Sequence, residues 1–180
     1  MSGHNKWSKI KRQKGAEDAA KSKLFGKLVR AITVEAKKSG INTITKGSPL
    51  SPGLETAIRK AREANMPNDT IERAIKKSSE GAAMETITYE SYGPGGSALV
   101  IEALTSNRNK AAQEIKAILA KHGLALAAPG SATWAFSKNA DGWTAQTPVA
   151  INEEDGEKLS QLIDELESND EVQEVFTNAE

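Results

Sequence analysis

The 180-residue chain has no cysteine, which excludes a disulfide scaffold and any thiolate metal site. Its two histidines, His4 and His122, cannot make a recognisable zinc set without thiolates, and no carboxylate run has the spacing of a cation loop. No apolar stretch approaches the roughly 20 residues of a membrane span. The start, Met1-Ser2-Gly3-His4-Asn5-Lys6, lacks the apolar run of a secretory signal, so a cytoplasmic protein with no membrane partner is expected. Walker A and G-x-S-x-G runs are missing too, and Gly93-Pro94-Gly95-Gly96 is no dinucleotide fingerprint because a strand pattern follows it. With no set of nucleophile, base and orienting group, the expectation is a non-enzyme with no cofactor, no metal and no small-molecule substrate.

What is present is an ordinary globular composition, 38% hydrophobic and 27% charged, enough for one large domain or two small ones. The 24 basic and 24 acidic side chains sum to zero, and the sum hides a segregation. Residues 1–80 hold 18 basic and 8 acidic groups, residues 81–180 hold 6 and 16, so the halves carry +10 and −10. A basic half points to a polyanion partner, while an acidic half limits non-specific adhesion. Composition leaves open the alternative that the halves attract each other.

Residues 1–14 contain five cations and no acid, and read as a mobile basic arm. From about Asp18 to Lys38 the pattern is helical, with Leu24, Leu28 and Ile32 beside Phe25, Val29 and Ala36 in one apolar stripe. Ser51-Pro52 places a capping hydroxyl before a first-turn proline, and the second helix it opens turns Leu54, Ala57, Ile58 and Ala61 inward before stopping ahead of Pro67. Asp69-Thr70-Ile71-Glu72 has the spacing of a capping box for a short third helix with Ile71, Ala74 and Ile75 inside.

After Gly81 the period becomes two. Thr86–Tyr92 and Ser97–Leu104 read as strands joined through the glycine turn, Asn107–His122 as an amphipathic helix, and Ser131–Phe136 and Trp143–Ile151 as further strands. Asn152-Glu153-Glu154-Asp155 caps a last helix that buries Leu159, Leu162, Ile163 and Leu166, and Val172–Thr177 reads as a final strand. The expected fold class is α+β. A basic arm (1–14) and a three-helix domain (15–80) precede an α/β domain (81–180) with two helices on a mainly antiparallel sheet, completed by the C-terminal helix and strand.

The candidate binding residues cluster in the first half. Lys6, Trp7, Lys9, Lys11, Arg12 and Lys14 set an aromatic among cations, a combination that stacks on a base while neutralising phosphates. Packing of Trp7 and Ile10 on the bundle is the alternative. Lys23, Lys27, Arg30 and Lys37 project to one side of the first helix, and Arg73, Lys76 and Lys77 on the third add to the same domain. Thr105-Ser106-Asn107-Arg108-Asn109-Lys110 opens a helix, so Arg108 and Lys110 form a candidate anion site, with plain capping as the alternative. The turn Gly93–Gly96 reads as a hairpin connection needing positive φ, or as a close approach to a phosphate or to ribosomal RNA.

Five runs taken together resemble the YebC/PmpR family, to which the mitochondrial translational activator of cytochrome oxidase subunit I belongs. They are Gly3-His4-Asn5-Lys6-Trp7 with Ile10-Lys11, the stretch Asn65-Met66-Pro67-Asn68-Asp69-Thr70-Ile71-Glu72-Arg73-Ala74-Ile75, Tyr89-Glu90-Ser91-Tyr92-Gly93-Pro94-Gly95-Gly96, Asn107-Arg108-Asn109, and Gly130-Ser131 leading into Phe136. Their order and spacing carry the match, and the segment from Glu153 to Asn178 resembles that family's C-terminus. Members are usually longer, with a further α/β domain where this chain has only about Ser137–Val149. The resemblance implies a non-enzymatic regulator of gene expression, either a DNA-binding transcriptional regulator or a ribosome-associated translation factor on ribosomal RNA. A protein-interaction adaptor is the alternative from another class.

Overall fold

A computed structural model describes residues 17–44, 49–79, 83–140 and 142–180. These residues divide into two units, one within Gly15–Met84 and one over Glu85–Glu180. No helix among the described residues is long and apolar enough to cross a membrane.

The first unit is helical: α1 (Glu17–Ser39), α2 (Pro52–Glu63) and α3 (Asn68–Lys76), followed by a 3-10 turn at Lys77–Ser79. Ile32 and Ala36 of α1 are fully covered, packed with Leu54, Ala57, Ile58 and Ala61 of α2 and Ile71, Ala74 and Ile75 of α3. Ser51 caps α2 as its spacing predicts, its Oγ accepting from the Leu54 amide at 3.3 Å. Across the bundle the Thr33 hydroxyl donates to the Ala74 carbonyl at 3.1 Å. Between α2 and α3 the chain reverses through Asn65 at φ 58°, and the Met66 amide bonds back to Ala61, burying the Met66 side chain.

Two local expectations are corrected here. The capping box at Asp69 does not form, because α3 starts two residues earlier behind Pro67, which has no side-chain group to cap with; its carbonyl instead accepts from the Thr70 and Ile71 amides. Asp69, freed from capping, pairs with Arg73 at 2.9 Å. Leu24 does not join the apolar stripe and is 45% exposed. At 1.5 Å per residue the 23-residue α1 runs about 34 Å, longer than α2 and α3 can cover, and complete burial begins only at Ile32.

The second unit is a sheet with two different covers. Its elements are β1 (Glu85–Tyr92), β2 (Ala98–Thr105), α4 (Arg108–Lys121), β3 (Phe136–Asn139), β4 (Gly142–Ala145), α5 (Glu153–Ser168) and β5 (Val172–Thr177). The antiparallel sheet has the order β1-β2-β5, and β3 and β4 form a separate hairpin. Because strand side chains alternate, Leu99, Ile101 and Ala103 of the central strand face Ile115 and Leu119 of α4 and Leu159, Leu162, Ile163 and Leu166 of α5. Ala98 and Val100 face the other way, against Ala132, Ala135, Phe136 and Phe176, with Trp143 and Ala145 of the hairpin packed alongside. The α+β class with two helices on one face is the observed arrangement.

Two strand expectations fail. Ser131–Phe136 is a turn and a 3-10 segment (Thr133–Ala135), with strand beginning only at Phe136. The buried Glu90 carboxylate accepts the amides of Gly130, Ala132 and Thr133 at 2.7, 2.6 and 2.8 Å, curling the segment around one side chain instead of along a ladder. Trp143–Ile151 likewise shrinks to Gly142–Ala145, since Pro148 has no amide for a ladder and only Val149 makes a bridge, to Ala179.

Candidate nucleic-acid interface

The cations named from the sequence fall into three groups. Lys6, Trp7, Lys9, Lys11, Arg12 and Lys14 lie outside the described residues. Lys23, Lys27, Arg30 and Lys37 lie on α1 within an arc of roughly 80°, at 100° per residue, on the side away from Ile32 and Ala36. Lys23 and Lys37 are exposed, Lys27 and Arg30 are half-buried, and Val34 sits buried among them.

Arg73 and Lys76 on α3 lie on the side opposite Ile71, Ala74 and Ile75, and Lys77, expected on the same helix, is its C-cap and opens the 3-10 turn. The Arg73 guanidinium folds along its own helix, onto the Asp69 carboxylate and carbonyl and the Thr70 hydroxyl. Lys76 and Lys77 are exposed, with no acid partner among the described residues. The sequence reading passed over Arg62, which is equally exposed on the outer side of α2, and Lys21, whose ammonium lies 5.6 Å over the Phe25 ring. The signal for Arg62 was available, since its position lies off the Leu54, Ala57, Ile58, Ala61 stripe.

The cations at the start of α4 are engaged differently. Asn107 caps the helix, its Oδ1 accepting from the Lys110 amide at 3.1 Å. Arg108 reaches across to Glu85 at 2.9 Å, and its guanidinium holds that carboxyl below the ordinary glutamate value. Lys110 lies 3.0 Å from Glu171 and 3.7 Å from Glu114, and the hydrogen bond and charge of Glu171 raise its ammonium above the ordinary lysine value. Both side chains are directed to carboxylates of the unit itself.

The glycine turn is a hairpin connection. Gly95 and Gly96 have φ of 66° and 75°, and the Gly93 amide bonds to the Ser97 carbonyl at 2.7 Å. A Cβ on Gly95 would lie 2.6 Å from Ile151 Cγ2 and 3.3 Å from an Asp155 carboxylate oxygen, so the residue's close approach is to Ile151, just ahead of α5, and to an acid of its first turn.

A cation-faced three-helix unit joined to an acidic α+β unit thus defines the class of protein. A model described as the TACO1/YebC protein N-terminal domain matches residues 5–81, and one described as the TACO1/YebC second and third domain matches 84–141 and 139–179; the chain belongs to this family. Among its relatives, one from Fervidobacterium nodosum is 38% identical over 240 positions, covering 99% of this chain and 93% of that protein. Another from Petrotoga mobilis is 41% identical over 192 positions, covering 100% and 71%. Both bear the name "probable transcriptional regulatory protein". A crystal structure of a conserved hypothetical protein from Aquifex aeolicus is similar with a TM-score of 0.78 and 29% identity, over 98% of this chain and 97% of that one. The Fervidobacterium alignment exceeds this chain's 180 residues, so that relative carries residues without a counterpart here. The two segments matched by the second family model meet at the turn between β3 and β4.

Proposed function

We infer that the chain is a non-enzymatic, cytoplasmic regulator of gene expression that binds nucleic acid through its helical half, without cofactor or metal. The observation that carries this is the placement of cations on the outer side of α3 and along one side of α1, away from the stripes that pack the bundle, in a half with net charge +10. The names of the relatives support a regulatory role, with transcription as the process named and DNA as the partner that implies. The arm residues Lys6, Trp7, Lys9, Lys11, Arg12 and Lys14 belong to the same proposed surface on the strength of the sequence.

Ribosomal RNA is the second reading, favoured by the form of α3. A recognition helix reads a DNA groove with its N-terminal residues. Here those residues are Asn68, Asp69 and Glu72, while Lys76 and Lys77 come at the far end of a nine-residue helix. Such a surface suits phosphate and shape contacts better than base-edge readout.

Crosslinking in cells followed by recovery of the bound nucleic acid separates the readings. Promoter-enriched DNA supports the transcriptional one and ribosomal RNA the translational one. Recovery of neither, with no affinity for RNA or DNA at low salt, overturns both and leaves the adaptor.

A further inference from the structure

Two aromatic side chains stand in solvent where β1 ends. Trp134 is 62% exposed and Tyr92 40%, and neither is part of a hydrophobic cluster. Their orientation is nonetheless held. The Trp134 indole N–H donates to the Tyr92 hydroxyl at 3.3 Å, and that hydroxyl donates to the Ser131 carbonyl. The segment beneath is anchored by the three amides on Glu90, and by the Ser91 hydroxyl on the Ala125 carbonyl at 2.9 Å. With both polar handles satisfied internally, the pair offers ring surface to the outside.

The charge of the unit that carries the pair bears on what that surface attracts. Residues 81–180 carry 16 acids against 6 cations, and five of the six cations are already in ion pairs. Directly after Tyr92 the glycine turn packs on the first turn of α5, bringing the Asp155 carboxylate to this end of the sheet with the exposed Glu153, while Glu154 is paired with Lys158. The negative faces of aromatic rings and nearby carboxylates both attract cations and repel phosphates.

We propose that Trp134 and Tyr92, with the acids that open α5, are a docking surface for an arginine-bearing basic segment of a protein partner. The pair lies on the hairpin side of the sheet and α5 on the opposite side, so the segment lies extended around the end of the sheet. Arginine stacks on the indole, and flanking cations meet Glu153 and Asp155. This surface belongs to the α+β unit, and its partner is a protein.

The test titrates an alternating Arg-Gly octapeptide into the full chain at low salt, following the Trp134 indole N–H resonance. A peptide with citrulline in place of arginine and single-stranded oligouridine serve as comparators. The arginine peptide is expected to shift the resonance and the citrulline peptide to leave it unmoved. Trp134→Ala weakens the peptide about fivefold or more, Trp134→Phe retains part of the affinity, and Trp134→Leu does not restore it, because the attraction is to the π face. Melting temperatures stay unchanged, since Trp134 is outside both cores of its unit. Equal affinity for Trp134→Ala, full binding by Trp134→Leu, equal binding of the citrulline peptide, or oligouridine acting at lower concentration than the peptide each overturns the proposal.

Discussion

The two units differ in how some of their cations are engaged. In the α+β unit Arg108, Lys110, Lys121, Lys138 and Lys158 each reach a carboxylate from the same unit, four of them across to another part of the chain. In the helical unit the ion pairs of Lys38, Arg59 and Arg73 are local to one helix, and Arg62, Lys76 and Lys77 have no acid partner among the described residues. Exposed pairs of either kind add little stability. What the contrast teaches concerns availability: a cation bonded within its own unit must break that bond to meet a phosphate, and one without an acid partner has nothing to break.

The largest expected effect breaks this comparison directly. Reversing Arg62, Lys76 and Lys77 to Glu should lower affinity for a polyanion more than about a hundredfold at low salt, while Arg108→Gln with Lys110→Gln should change it less than about twofold. Filter binding or fluorescence anisotropy measures both, and equal losses would erase the distinction between the units.

Next in size is Glu90, a buried acid of the acidic unit. Burial pushes the Glu90 carboxyl up, and the amides of Gly130, Ala132 and Thr133 outweigh it, leaving the group below its ordinary value of 4.5. A carboxyl depressed on folding stabilises above its unfolded pKa, and that contribution is lost as pH falls through the folded value. Glu90→Gln should therefore cost about 1–3 kcal/mol at neutral pH and flatten the acid limb of the stability curve, both read by urea unfolding.

A smaller effect distinguishes two neighbouring glycines. Gly95→Ala meets both a left-handed φ and the Ile151 side chain, Gly96→Ala only the φ. Costs of about 2 and about 1 kcal/mol are expected, and equal values would mean that the packing of the turn on α5 contributes nothing. Smallest is Arg73→Gln. Stability should hold within about 0.5 kcal/mol, because the Asp69 pair is exposed. The slope of log affinity against log salt should fall by about 0.9 on duplex DNA or about 0.7 on a single strand if Arg73 contacts a phosphate.

Much of the fold was legible. The stripes Leu54, Ala57, Ile58, Ala61 and Leu159, Leu162, Ile163, Leu166, the Ser51, Asn107 and Asn152 caps, and the strands Glu85–Tyr92, Ala98–Thr105 and Val172–Thr177 all follow from neighbours within a few residues. Ser131–Phe136 was misread because inward Ala132, Ala135 and Phe136 mimic a strand when the carboxylate they curl around is some 40 positions away. Leu24 was misread because periodicity reports which side of a helix is apolar and says nothing of how far its neighbours extend. Of the candidate site, the shared side of the α1 cations was legible from spacing, and the Glu85 and Glu171 partners of Arg108 and Lys110 were not.

The sequence by itself determined the family, the α+β class, the order of most elements and the segregation of charge, since composition and short periodicities are local and sum along the chain. Only the tertiary structure decided that β5 closes on β2 rather than on its sequence neighbours, that Glu90 gathers the amides of a loop, that the α4 cations are directed to acids of their own unit, and that Trp134 and Tyr92 stand together in solvent. Each of these joins groups separated by tens of residues. Which pair forms depends on the free energy of closing the whole unit, where burial and hydrogen bonding must outweigh chain entropy, and no local pattern contains that sum.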